Sequence, residues 1–145
     1  MELLFGTSPS WAITVVRVAL GVIFFAHGAQ KVLGWFGGYG LKGTTGYFTS
    51  IGLPLPVAYA VCFFEFLGGA GLLLGLLTRP AAVAVIVVMV GAIIKVHWKH
   101  GLFLNWDLTP GKGHGFEANF AFIAMALACL IAGGGALSVD SLLTR

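Results

Sequence analysis

Four long apolar stretches dominate the chain, at about residues 11–30, 56–77, 80–98 and 116–133. Each is close to the roughly 20 residues that an α-helix needs to cross the hydrocarbon core of a bilayer. Ser8 or Ser10 can cap the start of the first helix, and Pro80 separates the second stretch from the third. The pattern predicts an all-α membrane protein, a single domain over residues 1–145 built as a four-transmembrane-helix bundle. An even number of crossings places both termini on the same side.

Two connecting segments have distinct compositions. Residues 32–55 are rich in glycine and aromatic side chains and are predicted to be a loop that lies in the membrane interface or folds back as a lid. Residues 99–115 form the most polar part of the chain and are predicted to be a second loop. Both loops lie on the side opposite the termini, so any site that they cover is expected on that side.

Composition narrows the class of protein further. Of 145 residues, 59% are hydrophobic and only 9% are charged, whereas a soluble domain carries roughly 25% charged residues. The mean hydropathy of +0.99 excludes an ordinary cytosolic domain and a disordered chain. The net charge of +3 is scattered and forms no run that could follow a phosphate backbone, so no nucleic-acid partner is expected. The lipid bilayer is the partner that this composition requires.

Small residues suggest where helices approach each other. Gly71 and Gly75 form a GxxxG pattern in the second stretch, and Ala121, Ala124 and Ala128 form a strip in the fourth. Such residues let membrane helices pack closely. Packing within one bundle is the first interpretation, and a face for a second copy is the alternative.

Ionisable residues inside the apolar stretches are costly and therefore call for a role. With a rise of about 1.5 Å per residue, Arg17 lies about 9 Å below one membrane face and Glu65 about 14 Å below the other. In a hydrocarbon core about 30 Å thick, their depths then differ by roughly 8 Å. We therefore expect a buried Arg17–Glu65 ion pair.

A larger polar cluster is predicted near the side of the two loops. Glu65 would form its floor, and its other members would be His27, Gln30, Lys31, Lys95, His97 and Glu117. Lys95 and His97 are two positions apart and point in nearly opposite directions on a regular helix, so only one of them should face inward. The alternatives are salt bridges that only fix helix register, or lysines that extend to the interface.

Basic groups in a partly dry pocket suit a small anion or the carbonyl of a quinone. The depths of His27 and His97 match well enough for two haem ligands, but Lys31 crowds His27 and argues against haem b. No zinc-type spacing of Cys and His occurs, so no metal is expected. Cys62 and Cys129 are predicted to lie about 9 and 20 Å below the membrane face on the side of the two loops, which is too far apart for a disulfide. No cofactor is evident.

Several motifs together resemble the DoxX family of integral membrane proteins. They are Arg17, Gly21, His27-Gly28 and Lys31 in the first stretch, Glu65 with the glycines that follow it, the Thr78-Arg79-Pro80 break, Lys95-x-His97, and the tail from Gly135 to Asp140. The resemblance covers nearly the whole chain. It implies a four-helix bundle in the bacterial inner membrane and a link to redox biology, since related proteins form the membrane subunit of thiosulfate:quinone oxidoreductase.

The sequence thus predicts a multi-pass subunit that binds a small anion or a quinone and supports a sulfur-compound or quinone-linked redox reaction with a membrane or peripheral protein partner. His27 and Glu65 are the predicted catalytic residues, with His27 as proton carrier because imidazole titrates near neutrality. The predicted ligand-binding residues are Gln30, Lys31, Lys95, His97 and Glu117. The alternative is a non-catalytic accessory subunit packed against a larger membrane complex. A small transporter is a third interpretation, with little support from the apolar half near the termini.

Overall fold

The regular elements of the computed structural model, which describes residues 2–144, are all helical. The α-helices are α1 (Glu2–Phe5), α2 (Trp11–Val32), α3 (Gly40–Ser50), α4 (Leu55–Leu74), α5 (Thr78–Ala92), α6 (Glu117–Ala132) and α7 (Val139–Leu143). A 3-10 turn covers Trp35–Gly37. Helix α5 continues through a π-helical turn, Ile93–His97, into a 3-10 turn, Trp98–His100.

Among the described residues, three helical segments are long and apolar enough to cross a membrane, namely Trp11–Val32, Leu55–Leu74 and Thr78–His100. Helix α6 is apolar but has 16 residues, or about 24 Å at 1.5 Å per residue. The predicted all-helical membrane fold is confirmed at this level.

The four long helices pack as a ring in which α4 contacts α2 and α5, and α6 contacts α5 and α2. Leu20, Leu72, Val85 and Ala126 are fully buried at the centre of this ring. Large apolar side chains also cover the outside, where Ile94, for example, is 68% exposed. An apolar exterior of this kind is stable against lipid tails and costly against water.

The segment predicted as the loop 32–55 is partly helical, which corrects that prediction. Helix α3 occupies residues Gly40–Ser50 and packs against α4 and α2. Its sequence contains three glycines and three threonines in 11 residues, and these residues have low intrinsic helix propensity. Tertiary contacts therefore stabilise a helix that the local sequence does not favour. The polar segment 99–115 is a loop beyond His100, as predicted.

Helix ends explain how the small residues are used. Gly75 follows the last residue of α4 with φ 67°, a left-handed conformation that glycine adopts without strain. Gly71 lies against Ala81, where an added Cβ would be 3.2 Å from the alanine Cβ. The GxxxG residues thus serve contacts within the bundle, as first interpreted. Ala121 and Ala124 are exposed, so packing of the alanine strip inside the bundle is wrong for these two positions.

The C-terminal segment closes the turn between α4 and α5. The Asp140 carboxylate is buried and accepts hydrogen bonds from the backbone N–H groups of Leu77 at 2.8 Å and Thr78 at 2.9 Å. A carboxylate at this place accepts hydrogen bonds from the first free amides of α5, and the positive end of the α5 helix dipole stabilises its negative charge. The tail therefore holds the α4–α5 turn in place.

Candidate functional site

Helices α2 and α4 touch backbone to backbone, and this contact sets their register. A Cβ added at Gly28 would lie 2.3 Å from the Cα of Phe66, and one added at Gly69 would lie 2.2 Å from the backbone nitrogen of Phe25. In both contacts the two residue numbers add to 94. Only glycine permits such an approach. The sequence of the two helices therefore fixes which charged residues lie at the same height.

At one level of this interface, Lys31 and Glu65 form an ion pair through Nζ and Oε2. The Glu65 side chain is 6% exposed and that of Lys31 is 21% exposed. The register places Glu65 level with Ala29, and a side chain of α2 slants toward the helix N-terminus. Lys31, two residues further along α2, therefore reaches back to the carboxylate.

The predicted Arg17–Glu65 pair is wrong. Since Glu65 is level with Ala29, Arg17 lies twelve residues away along α2, or about 18 Å. The depth estimate failed because it set the ends of both helices at the membrane faces, whereas α2 and α4 are displaced along their axes. Lys31, predicted as a ligand-binding residue, takes the place that was expected for Arg17.

Arg17 instead binds backbone carbonyls at the end of α4 and in the C-terminal segment. It is 1% exposed, and Nε donates to Gly134 O at 2.8 Å while Nη1 donates to Leu72 O at 2.5 Å and Leu73 O at 2.9 Å. Nη2 donates to the carbonyl of Leu137. The carbonyls at the end of α4 carry the negative end of its dipole and stabilise a cation there. Arg17 thus has a structural role in joining α2, α4 and the C-terminal segment.

Two cavities flank the Lys31–Glu65 pair. The first, named here the apolar cavity, has a volume of about 640 Å³ and lies between the end of α3, α4 and α5. Its lining includes Val57, Phe64 and Val88, and its charged members are Glu65 and Lys95. An apolar cavity with a few charged groups suits a lipophilic molecule that has a polar head.

The second cavity, named here the loop cavity, has a volume of about 610 Å³ and lies between the end of α2, the turn after it and α3. Gln30 and Lys31 line it together with Tyr39 and Tyr47. Phe48 belongs to the lining of both cavities. The Lys31–Glu65 pair therefore connects the walls of two different spaces.

The structure divides the predicted polar cluster instead of gathering it around one pocket. His27 is exposed on α2 and lines neither cavity, so the predicted proton carrier shares no cavity with Glu65. Gln30 Nε2 donates to Phe36 O at 3.3 Å at the rim of the loop cavity. The close packing of α2 on α4 turns the His27 side of α2 outward, and this explains why His27 lines neither cavity.

The residues after α5 are also separated from one another. Lys95 lines the apolar cavity, whereas His97 Nδ1 lies 2.8 Å from His114 O in the polar loop. This segregation agrees with the expectation that only one of the two faces inward, although the turn that carries them is π-helical. Glu117 lines neither cavity and accepts a hydrogen bond from Leu104 N at 3.1 Å. His97 and Glu117 therefore organise the loop.

The aromatic residues of the segment 32–55 were predicted to close the pocket, but the sequence did not predict that a helix, α3, carries part of this wall. Phe48 and Ile51 line the apolar cavity, and Tyr47 lines the loop cavity. The only local indication was the cluster of aromatic and apolar residues at the end of a glycine-rich segment. Within residues 2–144, no group of three or more His, Cys, Asp or Glu side chains is arranged to hold a metal ion. The thiols of Cys62 and Cys129 are both buried and free.

Comparison with known proteins gives a family match. The sequence profile of the DoxX family matches residues 12–98, which are more than half of the chain. This range includes α2 except its first residue, all of α3, α4 and α5, and all the residues that line the two cavities. No solved structure matches the chain significantly.

Three curated bacterial proteins are similar to the chain. "Putative oxidoreductase CatD" of Bacillus subtilis (strain 168) is 40% identical over 85 residues, which is 59% of this chain and 59% of that protein. "Inner membrane protein YphA" of Escherichia coli (strain K12) is 31% identical over 94% of this chain and 93% of its own length. "Uncharacterized membrane protein Rv3486" of Mycobacterium tuberculosis (strain ATCC 25618 / H37Rv) is 29% identical over 95% and 91%. With the three apolar helices, these matches confirm the predicted multi-pass protein of the bacterial inner membrane.

Proposed function

This chain belongs to the DoxX family of membrane proteins, and we propose that it binds a quinone in the apolar cavity and supports its reduction. The carrying observation is the composition of that cavity. Its lining is apolar except for Glu65 and Lys95. A quinone has an apolar body and carbonyl oxygens that accept hydrogen bonds, so it matches such a lining better than a small anion does.

Lys95 is the proposed donor to a quinone carbonyl, and Glu65 is the proposed acid beside the ring. Reduction of a quinone to the quinol takes two electrons and two protons. The proposed electron donor is a reduced sulfur compound such as thiosulfate. Two thiosulfate ions lose one electron each and join through a new sulfur–sulfur bond as tetrathionate. The resemblance to "Putative oxidoreductase CatD" supports a redox role, and a partner protein would transfer the electrons.

The proposal includes the membrane topology. Helix α6 contacts α5 and α2 and completes the ring of apolar helices, so we place it across the bilayer as the fourth span. The two termini then lie on one side, and the loop cavity lies on the other.

A binding experiment with a matched pair of variants tests the quinone site. Ala60 is half-buried and lines the apolar cavity, so Ala60→Phe should fill it and abolish binding of decylubiquinone to the purified protein in nanodiscs. Ala121 is exposed on α6, and Ala121→Phe should leave binding unchanged. Lys95→Met should weaken binding about tenfold, since one hydrogen bond from a charged group is worth about 1.4 kcal/mol or more. Equal binding by all variants would refute the site.

Turnover tests the redox step. Membrane vesicles from a strain that expresses the protein should reduce decylubiquinone with thiosulfate, and vesicles with the Glu65→Gln variant should do so more slowly. Quinone binding without any thiosulfate-dependent reduction would assign the electron donor to another class of compound.

A second function is favoured by one observation. Ala121 and Ala124 are exposed on α6, and small residues on a membrane-facing surface permit close approach of another helix. A non-catalytic accessory subunit packed against a larger membrane complex would use this surface. Absence of quinone binding, combined with co-purification of a membrane partner that is lost in Ala121→Phe, would favour this function.

A further inference from the structure

One ion pair joins the walls of the two cavities. Lys31 lines the loop cavity and Glu65 lines the apolar cavity, while their side chains contact each other directly. Phe48 supplies apolar wall to both spaces. The pair is therefore a polar connection through an otherwise apolar wall.

We propose that the Lys31–Glu65 pair is the route by which protons pass from the loop cavity to a molecule bound in the apolar cavity. This inference rests on the proposed quinone site. The Lys31 ammonium gives one proton to the Glu65 carboxylate, and the resulting carboxyl group gives it to an oxygen of the quinone as electrons arrive. Water in the loop cavity then returns a proton to the neutral amine. Two such cycles supply both protons of the quinol.

The electrostatics of the pair suit this transfer. An ion pair and the neutral amine–carboxyl pair that follows proton transfer both have zero net charge, so the step places no unbalanced charge in the apolar interior. An isolated charge there would be strongly disfavoured. The Lys31 side chain is the more exposed partner, at 21% against 6% for Glu65, as expected for the group that exchanges protons with water.

Other titratable groups line the same two cavities or lie one turn from the pair. Lys95, after α5, lines the apolar cavity with Glu65, and the buried thiol of Cys62 lies one turn before Glu65 on α4. Tyr39, before α3, and Tyr47, on α3, line the loop cavity with Lys31. A pH profile of quinone reduction therefore has to be compared among variants and not assigned from the wild type alone.

Lys31→Arg separates a proton route from a purely structural pair. Arginine keeps the positive charge and pairs well with a carboxylate, so the fold should be preserved. A guanidinium does not release its proton in proteins, so the route should be blocked. Lys42 is an exposed lysine of α3 that lines neither cavity, and Lys42→Arg is the matched control.

The rate of quinol formation is measured in nanodiscs at saturating decylubiquinone, with electrons supplied by dithionite through a soluble mediator, and the rate of direct reduction in nanodiscs without protein is subtracted. The natural electron donor is then not needed. Because decylubiquinone is saturating, a change in its affinity does not alter the measured rate. Lys31→Arg and Glu65→Gln should each slow the reaction about 100-fold, which is the usual contribution of a positioned acid or base. The double variant should be no slower than either single variant, because both residues act in one sequence of steps. Lys42→Arg should react at the wild-type rate.

The outcomes distinguish this inference from the proposed function. If the wild type binds no decylubiquinone, the quinone site and the proton route are both refuted. If it binds but Lys31→Arg reacts at the wild-type rate, or if the losses in the double variant multiply, the route is refuted and the quinone site stands.

An infrared measurement on the wild type provides a test that does not depend on the folding of Lys31→Arg. Reduction of bound decylubiquinone should produce a transient carbonyl band of a protonated carboxyl group that shifts in deuterium oxide and is missing in Glu65→Gln. Absence of this band in the wild type would overturn the proposal.

Discussion

Replacing Arg17 by methionine tests how a charge is held inside this bundle. Arg17 is 1% exposed, and its guanidinium donates to four carbonyl oxygens, those of Leu72, Leu73, Gly134 and Leu137. Arg17→Met removes the donor and keeps an unbranched apolar side chain. The carbonyls at the end of α4 and in the C-terminal segment then lose a partner in a place that water does not reach easily.

The magnitude follows from opposing contributions. Hydrogen bonds from a charged donor are worth about 1.5–3 kcal/mol each, so four of them correspond to about 6–12 kcal/mol. Desolvation of the buried cation offsets several kcal/mol of this gain. We expect Arg17→Met to lower the free energy of unfolding by about 3–5 kcal/mol, as for other buried polar groups that lose a partner.

The assay is unfolding by dodecyl sulfate in mixed micelles, followed by far-ultraviolet circular dichroism and by tryptophan fluorescence. Coincidence of both curves is required before a free energy is taken from them. Arg79→Met is the matched control, because Arg79 makes one longer contact, from Nη2 to Ile131 O at 3.3 Å. The control should lose less than about 1 kcal/mol. A loss of the same size in both variants would refute the argument that carbonyl contacts of Arg17 hold the bundle.

Three further substitutions test other contacts. Gly28→Ala places a Cβ 2.3 Å from the Cα of Phe66 and should lower the free energy of unfolding by about 1–3 kcal/mol. In the control, Gly91→Ala, the added Cβ meets no atom within 4 Å, so this variant should be neutral or more stable by up to about 1 kcal/mol. Equal effects of the two substitutions would contradict the close helix contact. Asp140→Asn weakens the two contacts to the first amides of α5 and should lower stability by about 1–2 kcal/mol, and unchanged unfolding would show that the cap is not needed. Glu117→Gln removes the charged acceptor for one amide of the polar loop and should speed hydrogen exchange in residues 101–116 with little change in α2. Equal exchange rates of this loop in the wild type and in Glu117→Gln would argue against that anchor.

Local sequence information predicted the helices and several of their ends. Apolar stretches of nearly spanning length fix helical structure in a bilayer, because every backbone polar group must be satisfied within its own segment. The Ser10 hydroxyl accepts a hydrogen bond from Ile13 N at 3.4 Å, so Ser10 is the one of the two predicted caps, Ser8 and Ser10, that begins α2. Gly75 was interpreted only as a packing residue, although a glycine near the end of an apolar stretch is also a common helix stop. Helix α4, which corresponds to the second predicted stretch, therefore ends at Leu74 and not at the predicted residue 77.

Helix α3 shows where local information fails. Its glycines and threonines disfavour a helix in isolation, and the element is stable because it packs on α2 and α4. Tyr47 and Phe48 of this helix line the two cavities, so the shape of the candidate site was not predictable from the pattern of apolar stretches. The sequence did identify Lys31, Lys95 and Glu65, since charges in an apolar stretch are conspicuous.

The amino-acid sequence by itself determined that this protein is helical, that it lies in a membrane and that a few charges are buried there. Those properties follow from composition and from the hydrogen-bonding needs of a backbone in lipid, and neither depends on how the helices are arranged. Only the tertiary structure decided that Glu65 meets Lys31, that Arg17 binds carbonyls and that His27 faces outward. The physical reason is that the backbone contact at Gly28 and Gly69 sets the axial displacement of α2 against α4, and a displacement of a few residues exchanges one partner of a charge for another.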